Sequence, residues 1–149
     1  MAPTIREITE ADREAWVRMR DALWPGSLED HEAETKAYFE RGVQPPLIFV
    51  AEADRRLIGF LELGTRPYAP DCRSSPVPFI EGWYVDPDWQ RRGIGRALVA
   101  AAEAWAGAAG YTEMASDVEI DNTGSLAAHA ALGYQEVERT VAFRKNLKG

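Results

Sequence analysis

The segment Gln90–Ala97, reading Gln-Arg-Arg-Gly-Ile-Gly-Arg-Ala, has the residue types and spacing that hold an anion. Gly93 and Gly95 permit close backbone approach to a ligand. Arg91, Arg92 and Arg96 supply guanidinium groups suited to phosphate oxygens. An apolar run, Pro78–Val85, precedes this segment, and an amphipathic helical pattern follows it. Ile94 and Ala97 therefore stand in the first turn of a helix, where unsatisfied N–H groups and the helix dipole favour negative charge. Two common phosphate motifs are excluded. A P-loop needs Lys followed by Ser or Thr after its second glycine, and Arg96-Ala97 stands there instead. A dinucleotide fingerprint needs a third glycine and an acidic residue about 20 positions on.

Two carboxylates form a second candidate set. Strict alternation along Phe79–Val85 puts Phe79, Glu81, Trp83 and Val85 on one face of a central strand. A carboxylate amid aromatic residues is costly to bury unpaired, so Glu81 requires a partner, a water path or a chemical task. Asp117, after Met114-Ala115, poses the same question. Either each makes a structural hydrogen bond or ion pair, or both face a cleft that receives a cationic amine. A primary alkyl ammonium titrates near ~10 and is nucleophilic only when neutral, and nearby carboxylates can take its proton. Trp24 and Tyr68 lie in loop-like segments, and their rings suit a sugar face or a cation. Trp24 beside Pro25 fits a core plug equally well. Cys72, the one cysteine, reads as a bystander in a loop without a nearby base.

The elements that must position these residues alternate along the chain. Thr4–Ile8 reads as a strand, and Thr9 as the cap of a helix reaching Leu23, stopped by Trp24-Pro25-Gly26. Leu28–Arg41 reads as a second helix. Leu47–Ala53 and Leu57–Thr65 read as strands joined by a tight turn, and Arg66–Pro76 as a loop. Pro78–Val85 is the central strand. The next helix runs to Ala108, with Leu98, Val99, Ala102 and Trp105 at helical spacing. Thr112–Val118 reads as a strand, Thr123–Leu132 as a helix and Tyr134–Arg144 as a last strand. With no repeat or linker, the pattern is that of one α/β domain, 1–149.

A chain of 149 residues, 46% apolar and 28% charged, can bury a substantial core. Its net charge of −7 argues against a nucleic-acid partner and sets the arginine cluster apart. No apolar run approaches the ~18 residues of a membrane span. The first residues lack a basic-then-apolar leader, and a single cysteine makes no internal disulfide, so a cytoplasmic location is expected. No metal site is expected.

Gln90-x-x-Gly93-x-Gly95, after a strand ending Val85-Asp86-Pro87, resembles the pyrophosphate loop of the GNAT-superfamily N-acetyltransferases. The resemblance implies a GNAT fold, a mixed central sheet flanked by helices. It also implies acetyl-coenzyme A as cosubstrate, held by Trp83, Tyr84, Val85, Gln90, Arg91, Arg92, Gly93, Ile94, Gly95, Arg96 and Ala97. Asn122, followed by a helix ending Leu132-Gly133-Tyr134, resembles the second half of the coenzyme site; it equally fits a helix cap. His129 stands where many members carry a tyrosine that protonates the leaving thiolate; it fits either that role or a coenzyme contact. A backbone N–H near Val85 would stabilise the developing oxyanion. Leu23–Gly26, Tyr68–Pro76, Phe79–Gly82 and Glu113–Asp117 together resemble aminoglycoside 6′-N-acetyltransferases. That resemblance implies attack by an aminoglycoside 6′-amine, with Glu81 and Asp117 as bases and Trp24, Tyr68 and Glu138 among the acceptor contacts. It also implies a homodimer. Other acceptors stay open: another small cationic amine, a protein, or no acceptor at all in a non-catalytic coenzyme-binding module.

Overall fold

The computed structural model describes residues 2–41 and 47–148. The outermost residues of the expected 1–149 domain lie outside the described residues. The chain divides into two compact units, Met1–Asp117 and Val118–Gly149.

The first unit is built on a mixed sheet. Its strands are β1 (Thr4–Glu7), β2 (Leu47–Ala53), β3 (Arg56–Arg66), β4 (Val77–Val85) and β5 (Ala115–Ser116), in that spatial order. The first three pairings are antiparallel and the last, β4 with β5, is parallel. The buried runs of β2 and β3 match strands covered on both faces. On one face, α1 (Arg13–Leu23) and α2 (Leu28–Glu40) bury Trp16 and Met19 against Ile48, Val50, Leu57 and Phe60. On the other lies α3 (Ile94–Ala108), whose Leu98 side chain approaches Gly59. Leu98, Val99 and Ala102 are buried, as their helical spacing requires.

Three expectations are corrected in this unit. The first helix does not start at Thr9: a 3₁₀ turn over Glu10–Asp12 precedes α1, because the Asp12 carboxylate folds back onto the Thr9 N–H at 2.8 Å. The strand expected over Thr112–Val118 shrinks to Ala115–Ser116. The alternation along β4 breaks at Glu81. Leu63 pairs with Ile80 but Glu62 with Gly82, which makes Glu81 an inserted bulge residue. The bulge puts Phe79 and Glu81 on the α1–α2 face and Trp83 and Val85 on the α3 face, so the four do not share one side.

The second unit contains α4 (Thr123–Ala131). The last expected strand, Tyr134–Arg144, is absent. These residues form no ladder, and Val137, Val141 and Phe143 are exposed. A strand needs an edge to pair with, which the sequence of one segment does not show.

Candidate active site

The glycine loop leads into α3 as the sequence implies. Gly93 caps α3 with φ +81°, a left-handed conformation that suits glycine. The first intrahelical bond runs from Ala97 N–H to the Gly93 carbonyl at 3.0 Å, so the N–H groups of Ile94, Gly95 and Arg96 precede the helical ladder. Arg91, itself left-handed, Arg92 and Arg96 are exposed around this end, and the Arg92 guanidinium lies 4.8 Å from the centroid of Trp89. Gln90 donates from Nε2 to the Val85 carbonyl at 3.2 Å, tying the loop to β4. Ile94 is buried and anchors the turn. A side chain on Gly95 would meet Trp83, whose Nε1 donates to the Gly95 carbonyl at 3.1 Å. Gly95 therefore sets helix-to-strand packing as well as backbone approach.

At the end of β4 the strand opens. Pairing with β5 stops at Ile80–Ser116, whereas pairing with β3 continues to Val85. Asp86 donates its N–H to Ile58 O at 2.7 Å. The Val85 N–H, one residue earlier, therefore points to the opposite, open edge of β4. Tyr84 is turned away from this edge. Its ring packs on Phe60, and its hydroxyl donates to buried Asp86 at 2.9 Å. Burial and that bond push the phenol up to about 12. Its side chain is a structural part of the α1 face, which leaves only its backbone for a ligand.

The carboxylates gather on the α1–α2 face. Glu81 is exposed, not buried, and both its oxygens accept from Arg66, at 3.0 Å from Nε and 2.7 Å from Nη2. The partner that Glu81 was expected to need is thus Arg66, reached because the bulge turns Glu81 toward β3. Asp117, exposed just past β5, acts on the same guanidinium through space. Beside them Trp24 lies over Gly82, where a Cβ would sit 2.5 Å from the ring. Trp24 is 36% exposed and stacks on His31, so it is both packed and presented. Tyr68 is exposed in the following loop.

The second unit holds the remaining candidates. Asn122 caps α4, its Oδ1 accepting from Ser125 N–H at 3.1 Å. His129 Nδ1 lies 2.7 Å from the Ser125 carbonyl. A carbonyl only accepts, so that nitrogen carries the hydrogen, and in a neutral ring Nε2 then carries none. His129 in this state can donate a proton from Nε2 only as imidazolium. Glu138 is exposed and accepts from the Thr140 hydroxyl at 3.1 Å. Among the described residues, no group of three or more His, Cys, Asp or Glu side chains is placed to hold a metal ion. No helix among them is long and apolar enough to cross a membrane.

The geometry thus joins an anion-binding helix start, an open strand edge and a carboxylate-bearing face. The model of the Acetyltransferase (GNAT) family matches residues 13–134. The chain belongs to this family. It is 43% identical over 149 residues to aminoglycoside N(6′)-acetyltransferase type 1 of Klebsiella aerogenes, covering 98% of each chain. It is also 43% identical to the enzyme of that name from Stenotrophomonas maltophilia, over 99% of this chain and 95% of the other. Among solved structures it superposes on AAC(6′)-Iy in complex with the bisubstrate analog CoA-S-monomethyl-acetylneamine. That match has a TM-score of 0.89 and 37% identity, over 98% of this chain and 99% of the other. AAC(6′)-Ih from Acinetobacter baumannii matches with a TM-score of 0.88 at 37% identity, over the same shares. The mixed sheet with helices on both faces is the GNAT fold, and acetyl-coenzyme A is the family's cosubstrate.

Three residues around these candidates were given no role in the sequence reading. Arg66 looked like the start of a loop; only the β3–β4 register brings it to Glu81. Glu113 accepts from the N–H groups of Arg73 and Ser74 at 2.9 and 2.8 Å and from the Ser74 hydroxyl, clamping the loop that carries Tyr68. Those bonds, the Ser74 hydroxyl foremost, hold its carboxyl below the usual range. Asp86, within the Val-Asp-Pro motif, is a buried carboxylate bound by Tyr84 and by Arg18 at 3.3 Å. A charged residue just before Pro87 was the one available signal. Burial, foremost, raises the Cys72 thiol above its usual range, away from the reactive thiolate.

Proposed function

We propose that this protein transfers the acetyl group of acetyl-coenzyme A to the 6′-amine of aminoglycoside antibiotics, and so confers resistance to them. The observation that carries the acceptor is the full-length identity of 43% to two aminoglycoside N(6′)-acetyltransferases. In this reading the exposed Arg91, Arg92 and Arg96, with the N–H groups of Ile94, Gly95 and Arg96, hold the pyrophosphate. Gln90, Gly93 and Gly95 shape that loop, and Trp83, Tyr84 and Val85 line the cosubstrate through β4. Asn122 and His129 contribute the rest of the coenzyme contacts. Acetyl-coenzyme A supplies an activated thioester, which the amine attacks directly. The Val85 N–H stabilises the oxygen on which negative charge develops. Trp24 and Tyr68 receive the sugar rings, Glu138 adds a carboxylate, and Glu81 and Asp117 attract the ammonium, whose proton passes to a carboxylate of this pair.

The same reading has the two units working as one GNAT domain over 1–149, in a homodimer located in the cytoplasm. Exposed apolar side chains in the last segment support a second copy as partner.

The test is acetylation of neamine, which carries a 6′-amine, beside paromamine, which carries a 6′-hydroxyl there. Thiol release from acetyl-coenzyme A is followed, and the product is located by NMR. Neamine acetylated at the 6′-nitrogen, with no such product from paromamine, is expected. Acetylation at another nitrogen, or turnover only with other amines or proteins, rejects the aminoglycoside 6′ assignment.

A further inference from the structure

We propose that Arg66 is a positioning residue of the acceptor site, locking Glu81 as a fixed anchor for the acceptor and leaving the proton to Asp117. The inference rests on the acetyl-transfer reading above. Arg66 is the last residue of β3 and pairs with Val77. Its guanidinium carbon lies 3.6 Å from the centroid of the Phe79 ring, which fixes the plane of the group. Within that plane, Nε and Nη2 both donate to Glu81. This two-pronged fit specifies direction as well as charge. Gly64 completes the seat. A Cβ there would lie 3.3 Å from Glu81 Cγ and Oε2, so a larger residue would press on the seated carboxylate.

The chemistry follows from which lone pairs are used. A forked guanidinium occupies the inner edge of both carboxylate oxygens, where a carboxylate binds a proton best. The outer edges still accept hydrogen bonds from an ammonium or a hydroxyl. Arg66 itself stays protonated at any working pH, so it neither takes nor gives a proton. Asp117 meets the same guanidinium through space and stands at the open end of β5, where the splay of β4 begins. One carboxylate is therefore held for orientation and one is placed for proton acceptance.

The test is a kinetic cycle with acetyl-coenzyme A and neamine on five variants: Arg66→Gln, Arg66→Lys, Glu81→Gln, Asp117→Asn and the Arg66→Gln/Glu81→Gln double. Asp117→Asn is expected to lower kcat by ~10²-fold or more, the usual effect of losing a base. Arg66→Gln and Glu81→Gln are each expected to raise the neamine KM by about 5-fold, the scale of one exposed ion pair, with a smaller effect on kcat. The double variant should match Glu81→Gln alone, because both changes act through one group. Arg66→Lys should fall between, since an ammonium offers a point contact and no fork. A merely structural Arg66 would give effects that multiply in the double variant, and that result overturns the inference. So does a kcat loss in Glu81→Gln equal to that in Asp117→Asn, or a lower neamine KM in Arg66→Gln. Should Arg66→Gln fail to fold, the same comparison is made with Arg66→Lys and its double with Glu81→Gln. Absence of neamine turnover by the wild type overturns the function reading and this inference with it. Turnover with multiplying effects overturns the inference alone.

Discussion

Trp24 shows how one missing atom shapes the proposed acceptor face. The ring can lie on β4 only because Gly82 has no side chain: an added Cβ would stand 2.5 Å from Cη2 and 3.0 Å from Cζ2. The ring is also braced by Arg20, 5.3 Å from its centroid, and its carbonyl accepts from His31 Nε2 at 2.8 Å. Gly82→Ala should push the half-exposed ring outward. The expected outcome is a several-fold higher neamine KM, unchanged acetyl-coenzyme A affinity, and a stability loss of about 1–3 kcal/mol, the scale of overpacking. An unchanged neamine KM in the folded variant removes Trp24 from the acceptor face. The residue types of the site were legible in the sequence, since glycines, arginines and carboxylates carry their chemistry in their names. Their partners were not. Glu81 finds Arg66 across 15 positions of sequence, through a bulge that no local pattern announces.

Elements with a strong local signature were read nearly in full. The α3 helix was visible in its glycine start and its apolar spacing, and β2, β3 and β4 in their apolar runs. β5 and the last segment were misread, because strand pairing depends on a neighbour rather than on composition. The entry to α1 was half legible: Thr9 and Asp12 marked a helix start, but not the ion pair that fixes it. Asp12 accepts from Arg6 Nη1 at 2.7 Å and Nη2 at 3.0 Å, which joins β1 to α1. The Arg6 bond, opposed by burial and aided by Thr9, holds the Asp12 carboxyl below the usual range. A depressed carboxyl adds stability that is full above its unfolded pKa of about 3.9 and lost as pH falls through the lower folded value. Asp12→Asn should therefore cost about 1 kcal/mol at neutral pH, as expected for a partly exposed pair. The gap between variant and wild type should close below pH ~4. Urea unfolding at pH 7 and pH 3 measures both, and a gap that is the same at the two pH values sinks the assignment.

At the scale of the whole molecule, a protein with net charge −7 draws polycationic acceptors toward it, while one arginine-rich loop reserves a place for an anion. The remaining imbalance is apolar. Val137, Val141 and Phe143 are 52, 75 and 92% exposed, and in an extended segment their positions would fall on one face, with Arg139 between them. Such a segment needs a ladder partner to bury one face, and a second copy of the chain can provide an equivalent edge by symmetry. The homodimer proposed above then rests on this segment, and Phe143 is its most exposed large side chain. Phe143→Asp places a charge where the dimer would bury an aromatic ring, and burying an unpaired carboxylate is far costlier than losing the ring contact. Sedimentation velocity at micromolar concentration should give twice the chain mass of 16.6 kDa for the wild type and the chain mass for Phe143→Asp. Because Phe143 is exposed in the single chain, the variant should keep its far-ultraviolet circular dichroism. A monomeric wild type rejects the dimer, and a dimeric Phe143→Asp shows that the two copies meet through some other surface.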